Sequence, residues 1–214
     1  MKKLAAVLCA IALMLTMAVP AMANKSISDL SENVIEVKTE TEVPAGTTVQ
    51  ILPADVDRYD DVAVKAAIAS VNNEEAVSTV EEVVTALAEK LPEGTTVSEE
   101  GVVTIEAEEG GEDTVIDLKE YDFITTFADL ALADGSEVSF DDNGVVVEAT
   151  VTLAIDVLKD VAPEDLNDYL IVLINPTTGE VCFIKLDPET FNPATGEITV
   201  DFPFLGTFAL IQKV

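Results

Sequence analysis

One six-residue turn occurs twice in this chain, and it constrains the fold more than any other stretch. Asn175-Pro176-Thr177-Thr178-Gly179-Glu180 returns as Asn192-Pro193-Ala194-Thr195-Gly196-Glu197. Proline holds φ near the value that the second position of a turn needs. An asparagine before it can bond the backbone two residues on. A glycine after it takes positive φ without a Cβ clash. The pattern predicts a type I turn closed by a left-handed glycine, which is a wide hairpin connection. Tyr169 to Ile211 is therefore expected to fold as two hairpins and to organise the rest of the chain.

The flanking residues fit that expectation. Leu170-Ile171-Val172-Leu173-Ile174 is apolar on both faces, as in a central strand, and Val181 to Leu186 is its return. After the second turn, Ile198, Val200 and Phe202 alternate with Thr199 and Asp201, the period of a half-buried strand. Pro203 and Gly206 break the chain before a last strand, Thr207 to Ile211. The turn is also a near relative of the Leu-Pro-x-Thr-Gly sortase pattern. A sortase signal needs a hydrophobic tail and a basic end after it, whereas strands follow here.

Upstream, Asp141-Asp142-Asn143-Gly144 is a strong hairpin signal, because Asn-Gly suits a type I′ turn. Val145, Val147, Ala149, Val151, Leu153 and Ile155 then face one way, and Glu148, Thr150, Thr152 and Asp156 the other. One face meets a core and one meets water, as in a sheet of an antiparallel sandwich. Phe123 to Leu132 fits helix or strand by spacing; Thr125 and Thr126 favour strand.

The first half reads differently. Asn24 to Asn33 is a polar arm, and Val34 to Lys38 and Thr47 to Leu52 are strands joined through Pro44-Ala45-Gly46. Val64, Ile68 and Val71 mark one face of a helix, with Asp60 and Asp61 at its N-terminal end. Val77, Val80, Val84, Leu87 and Leu91 mark a second helix, with either Ser78-Thr79-Val80-Glu81 as a capping box or Asn73 capping an earlier start, and Pro92 and Gly94 as its stop. Val102 to Ala107 and Thr114 to Leu118 form a hairpin around Gly110-Gly111. The fold class is α+β, mainly antiparallel β. A soft boundary near Leu118 to Tyr121 separates an α+β part with two helices, residues 24–120, from a β-sandwich, residues 121–214.

Residues 1–23 have the form of a secretory signal. Lys2 and Lys3 supply the basic start, Leu4 to Val19 the apolar core, and Ala21-Met22-Ala23 the cleavage pattern. Cleavage after Ala23 is expected. Cys9 lies within the apolar core, so it is not placed for a lipoprotein anchor. Cleavage leaves Cys182 as the single cysteine and excludes an internal disulfide. With Ile184 and Leu186 on its strand face, Cys182 reads as a core thiol rather than a nucleophile. The expected address is secreted or cell-surface associated.

Charge narrows the partners. The chain carries 11 Lys and Arg against 41 Asp and Glu, a formal charge of −30. Nucleic-acid binding needs cations that displace counterions from phosphate, so no nucleic-acid partner is expected. Anionic membranes are repelled for the same reason, and no membrane association is expected after cleavage. The remaining partners are an extracellular protein or a cell-wall component, with the chain itself a monomer.

The residue inventory narrows the chemistry. There is no histidine, which removes Ser-His-Asp and Cys-His catalysis and His-based metal sites. No phosphate-binding or dinucleotide fingerprint occurs. Two carboxylates could run glycoside hydrolysis. Sugar sites usually stack rings on aromatics, and this chain has no Trp and only Tyr59, Tyr121 and Tyr169. Calcium suits hard oxygen ligands. In Ser139 to Thr150, Asp141, Asn143 and Gly144 match three positions of a calcium loop, but Ser139 and Thr150 stand where strong acids belong and Glu148 is two places early. Asp55, Asp57, Asp60 and Asp61 form a second acidic run, read as solvated and helix-capping.

The ending Phe202-Pro203-Phe204-Leu205-Gly206-Thr207-Phe208-Ala209-Leu210-Ile211 resembles the closing strand of Ig-like β-sandwich modules in exported proteins of Gram-positive anaerobic bacteria. Those modules end on an aromatic, a Ser-Pro or Gly-x pair, then Phe-Ala-Ile-Val; Leu-Gly-Thr replaces Ser-Pro here. The resemblance implies an Ig-like surface module over residues 121–214 and carries no catalytic residues. The expectation is a non-catalytic secreted or surface interaction or structural protein, with no catalytic, cofactor or metal residues assigned. The alternatives are a carboxylate-based hydrolase of the cell envelope and a weak calcium-binding extracellular module.

Overall fold

The computed structural model describes residues 37–38, 49–73, 78–107, 111–132 and 149–214. In chain order the first part contains β1 (Val37–Lys38), β2 (Val49–Pro53), α1 (Val62–Val71) and α2 (Val80–Ala86). Next come β3 (Thr95–Val97), β4 (Val102–Ile105), β5 (Thr114–Asp117), β6 (Tyr121–Phe123) and β7 (Ala128–Leu132). The last part holds β8 (Ala149–Ala154), β9 (Tyr169–Ile174), β10 (Val181–Lys185), β11 (Phe191–Asn192), β12 (Glu197–Phe202) and β13 (Thr207–Lys213). Among the described residues every strand pairing is antiparallel. The class is α+β and mainly antiparallel β.

Both copies of the repeated turn close hairpins. In the first, Asn175 N–H donates to the Glu180 carbonyl at 2.8 Å and Gly179 N–H to the Asn175 carbonyl at 2.8 Å. Asn175 Oδ1 accepts from the Thr177 and Thr178 amides. In the second, Gly196 N–H donates to the Asn192 carbonyl at 2.8 Å, and Asn192 Oδ1 accepts from the Ala194 amide. Gly179 and Gly196 sit at φ +73° and +70°, as the turn chemistry predicts. The first turn joins β9 to β10 and the second joins β11 to β12.

The strands form three sheets. One has the order β1-β8-β12-β11; a six-stranded sheet runs β10-β9-β13-β7-β2, with β6 also paired to β13; a small one runs β3-β4-β5. The six-stranded sheet is covered on both faces, and alternation along its strands shows how. Tyr169, Ile171, Leu173, Phe208 and Leu210 pack with Val151, Leu153, Ile198, Val200 and Phe202 of β8 and β12. Leu170, Val172, Ile174, Ala209 and Ile211 pack with Val64, Ile68 and Val71 of α1, Val80, Val83 and Val84 of α2, and Val103 and Ile116 of the small sheet. All six residues of β9 are buried, which explains its unbroken apolar run. Burying one such Leu, Ile or Val is worth roughly 1.5–3 kcal/mol, so β9 and β13 tie two cores together. Residues on both sides of the Leu118 to Tyr121 boundary share one sheet, since β2 pairs with β7 from Val49↔Leu132 to Pro53↔Ala128.

Several local expectations change in detail. The capping box of α2 uses Thr79 and Glu82, one place later than Ser78 and Glu81, because Thr79 precedes the first buried turn at Val80. α2 stops at Ala86, and Ala88–Lys90 continues as a 3-10 turn instead of helix up to Pro92. β3 was not anticipated; it pairs with β4 from Thr95↔Ile105 to Val97↔Val103. Phe123 to Leu132 is strand at its two ends, β6 and β7, with Ile124 to Phe127 between them. The Asn24 to Asn33 arm, Val77, Gly110, and the hairpin at Asp141 to Gly144 lie outside the described residues.

Candidate functional site

Among the described residues a buried polar cluster joins three separate segments. Asp129 of β7 is 2% exposed and accepts Arg58 Nη1 at 2.7 Å. The same carboxylate accepts the Asp55 amide at 2.9 Å and the Thr207 hydroxyl of β13. The Tyr59 hydroxyl donates in turn to Thr207 Oγ1. Arg58 is the single arginine of the chain, and it is spent on this ion pair. A buried carboxylate is stable only when paired and hydrogen-bonded; here Arg58, Asp55 and Tyr59 tie the segment before α1 to the sheet, and the Thr207 hydroxyl ties β13 to β7. The cluster therefore fixes the segment of Asp55 to Tyr59 against β7 and β13. Sequence reasoning missed it. The available signs were an aspartate inside the apolar run Phe127 to Leu132 and one lone arginine in a very acidic chain.

The second candidate is a groove of about 440 Å³ where β5 approaches the ends of β9 and β10. Leu170, Ile116 and Tyr121 contribute to its lining, with Glu112 and Asp113 before β5, Asn167 before β9, and Lys185 at the end of β10. Lys185 Nζ donates to Thr114 Oγ1 at 3.1 Å across one end. Burial raises the Tyr121 and Tyr169 hydroxyl pKa values; at Tyr121 the Lys213 ammonium opposes the rise while Asp168 and Glu120 add to it, and at Tyr169 Asp168 and Asp165 add to it. Carboxylates stand around the groove, at Glu112 and Asp113 in its lining and at Asp168 beside both tyrosines, together with the cations Lys185 and Lys213. Two tyrosines line it, but they do not make one stacking platform. On β13, Lys213 pairs with Tyr121 and Gln212 with Tyr169, and consecutive residues of a strand face opposite ways.

The acidic run before α1 is used locally. Asp61 caps α1, accepting the Ala63 and Val64 amides, and pairs with Lys90 at 2.7 Å. The Lys90 ammonium, with those amides, holds the Asp61 carboxyl below the usual range. Asp55 Oδ1 accepts the Asp57 amide. Asp60 is exposed. Among the described residues no three His, Cys, Asp or Glu side chains are grouped to hold a metal ion. Of the Ser139 to Thr150 stretch, residues 139–148, with Asp141, Asn143, Gly144 and Glu148, lie outside the described residues; Thr150 donates to Asp201 across β8 and β12.

Cys182 is half-buried on β10, against the core formed with β8 and β12. Burial, then the Glu180 carboxylate, pushes its thiol pKa up to about 12. A thiol that stays protonated is neither a nucleophile nor a ready metal ligand.

Comparison with family models, with curated proteins and with solved structures found no match. No described helix is long and apolar enough to cross a membrane.

Proposed function

We propose that this chain is a non-catalytic exported protein, secreted or held at the cell surface, acting as an interaction or structural module. The geometry of the groove carries the reading. Among the described residues, the carboxylates that line it, Glu112 and Asp113, are neighbours in sequence, and Asn167 and Lys185 also line it. A glycosidase needs two carboxylates flanking one bond, ~5–10 Å apart. The buried ionisable groups fit the same reading, because Arg58 and Asp129 hold segments of the fold together. The secretory pattern of residues 1–23 and the charge of −30 support an extracellular protein or wall component as partner, and a monomer that stays soluble by its charge. We assign the two sheets that face each other across the Val151, Ile171 and Phe208 core to an Ig-like sandwich, on the strength of that packing and of the closing-strand pattern.

The test uses the mature chain, residues 24–214, mixed with a purified cell-wall fraction of the producing cell. Saturable co-sedimentation without release of soluble wall fragments is expected. Fragment release that disappears in Glu112→Gln or Asp113→Asn would replace this reading with the hydrolase.

A further inference from the structure

β10 is a terminal strand of the six-stranded sheet, and among the described residues it pairs with β9 only. Alternation shows which main-chain groups that leaves over. Asn175 and Glu180 form a hydrogen-bonded pair at the turn, so Leu173 with Cys182 and Ile171 with Ile184 are the next bonded pairs. Phe183 and Lys185 then direct their N–H and C=O away from β9. No described backbone group partners them.

Edge strands are ordinarily protected by proline, a bulge or inward charge. Val181-Cys182-Phe183-Ile184-Lys185 has none of these except Lys185 at its last position. Phe183 is partly buried against the helix-side core and Ile184 against the opposite core, so a strand added here finds apolar neighbours on both faces. The groove opens beside the same end of β10, with Glu112 and Asp113 in its lining. At −30, the chain repels a second copy of itself and attracts a cation.

We propose that the β10 edge and the adjoining groove take up an extended, cationic segment of a partner protein as an added β-strand. This rests on the reading of the chain as an interaction module and names the surface and the partner chemistry. Main-chain bonds from Phe183 and Lys185 supply the pairing. Apolar side chains of the added strand lie beside Ile184 and Leu186, and its basic side chains face Glu112 and Asp113.

Fluorescence anisotropy with a labelled valine-lysine alternating octapeptide tests this on the mature chain. Saturable binding is expected at physiological salt, with no binding of the valine-glutamate counterpart. A valine-lysine analogue N-methylated at alternate residues keeps the charge but loses main-chain donors; its affinity should fall at least tenfold. Lys185→Pro removes an outward N–H without removing a β9 bond, and should also weaken binding at least tenfold at unchanged melting temperature. Lys185→Ala, which loses the same cation and the bond to Thr114, should bind at least as well as the parent. Equal affinity for the methylated peptide, or absence of valine-lysine binding, would overturn the proposal. Should Lys185→Pro not fold, the methylated peptide decides the matter on the unaltered protein. A parent that sediments as a dimer which Lys185→Pro dissociates would make a second copy the occupant and overturn the cationic partner. Export and wall binding are read in separate assays, so failure here leaves the interaction reading distinguishable.

Discussion

Adding one methyl group at three glycines separates backbone strain from steric conflict. Gly94, Gly179 and Gly196 have φ of +80°, +73° and +70°, so alanine meets similar left-handed strain at each, roughly 1–2 kcal/mol. The loss of unfolded-state freedom returns about 0.4–1 kcal/mol at every site. Surroundings decide the rest. A Cβ at Gly94 has Glu106 Cβ at 3.7 Å, an ordinary contact. At Gly179 it meets Val64 Cγ2 at 3.1 Å, a side-chain methyl that can shift slightly. At Gly196 it falls 2.5 Å from the Ile155 carbonyl oxygen and 3.2 Å from the Lys159 amide nitrogen. Relief there requires backbone movement, and that backbone is held by Ile155 N–H to the Gly196 carbonyl and Asp160 N–H to the Pro193 carbonyl, both at 2.9 Å. Disturbing one such bond costs about 1–3 kcal/mol. The expected losses are about 1 kcal/mol for Gly94→Ala, about 1–2 for Gly179→Ala, and about 2–4 for Gly196→Ala. Urea titrations read them as midpoint shifts at constant m. Three equal losses would refute the steric part of the reasoning, and three losses near zero would refute the left-handed conformation.

Other consequences follow from the same contacts. Asp129→Ala strands the Arg58 guanidinium, and a loss of about 3–5 kcal/mol is expected in urea titration; Arg58→Met with Asp129→Leu should recover part of it. Thr79→Ala should cost about 1 kcal/mol through the lost cap of α2, whereas Ser78→Ala, outside the box, should be close to neutral in the same measurement. The raised thiol pKa means that folded Cys182 keeps its proton where the unfolded thiol has lost it. Its contribution is complete below the unfolded value, near pH 9, and is lost as pH rises toward 12. Melting curves of Cys182→Ala should therefore fall less steeply over that window than those of the parent; identical slopes would contradict the shift.

What could be read along the chain was local. The Asn-Pro-x-Thr-Gly turn carries its hairpin geometry within six residues, and both copies form it. Alternation along β12 and the two-faced apolar run of β9 report burial directly. α1 is legible because Asp61 and the spacing of Val64, Ile68 and Val71 are local signals. β3 was hidden because Thr95-Thr96-Val97 is too short to show a period, and it is strand by virtue of pairing with β4. The Arg58–Asp129 pair spans 71 positions and depends on how β7 meets the segment before α1. The groove depends on register: nothing local places Thr114 beside Lys185.

Export is the property from which the proposed surface role follows. The producing cell can be grown and fractionated, and the chain recovered from its medium, surface wash and cytosol for intact-mass measurement. A chain beginning at Asn24 is expected in the medium or the surface wash. Recovery chiefly from the cytosol, with the Met1 terminus intact, would contradict export.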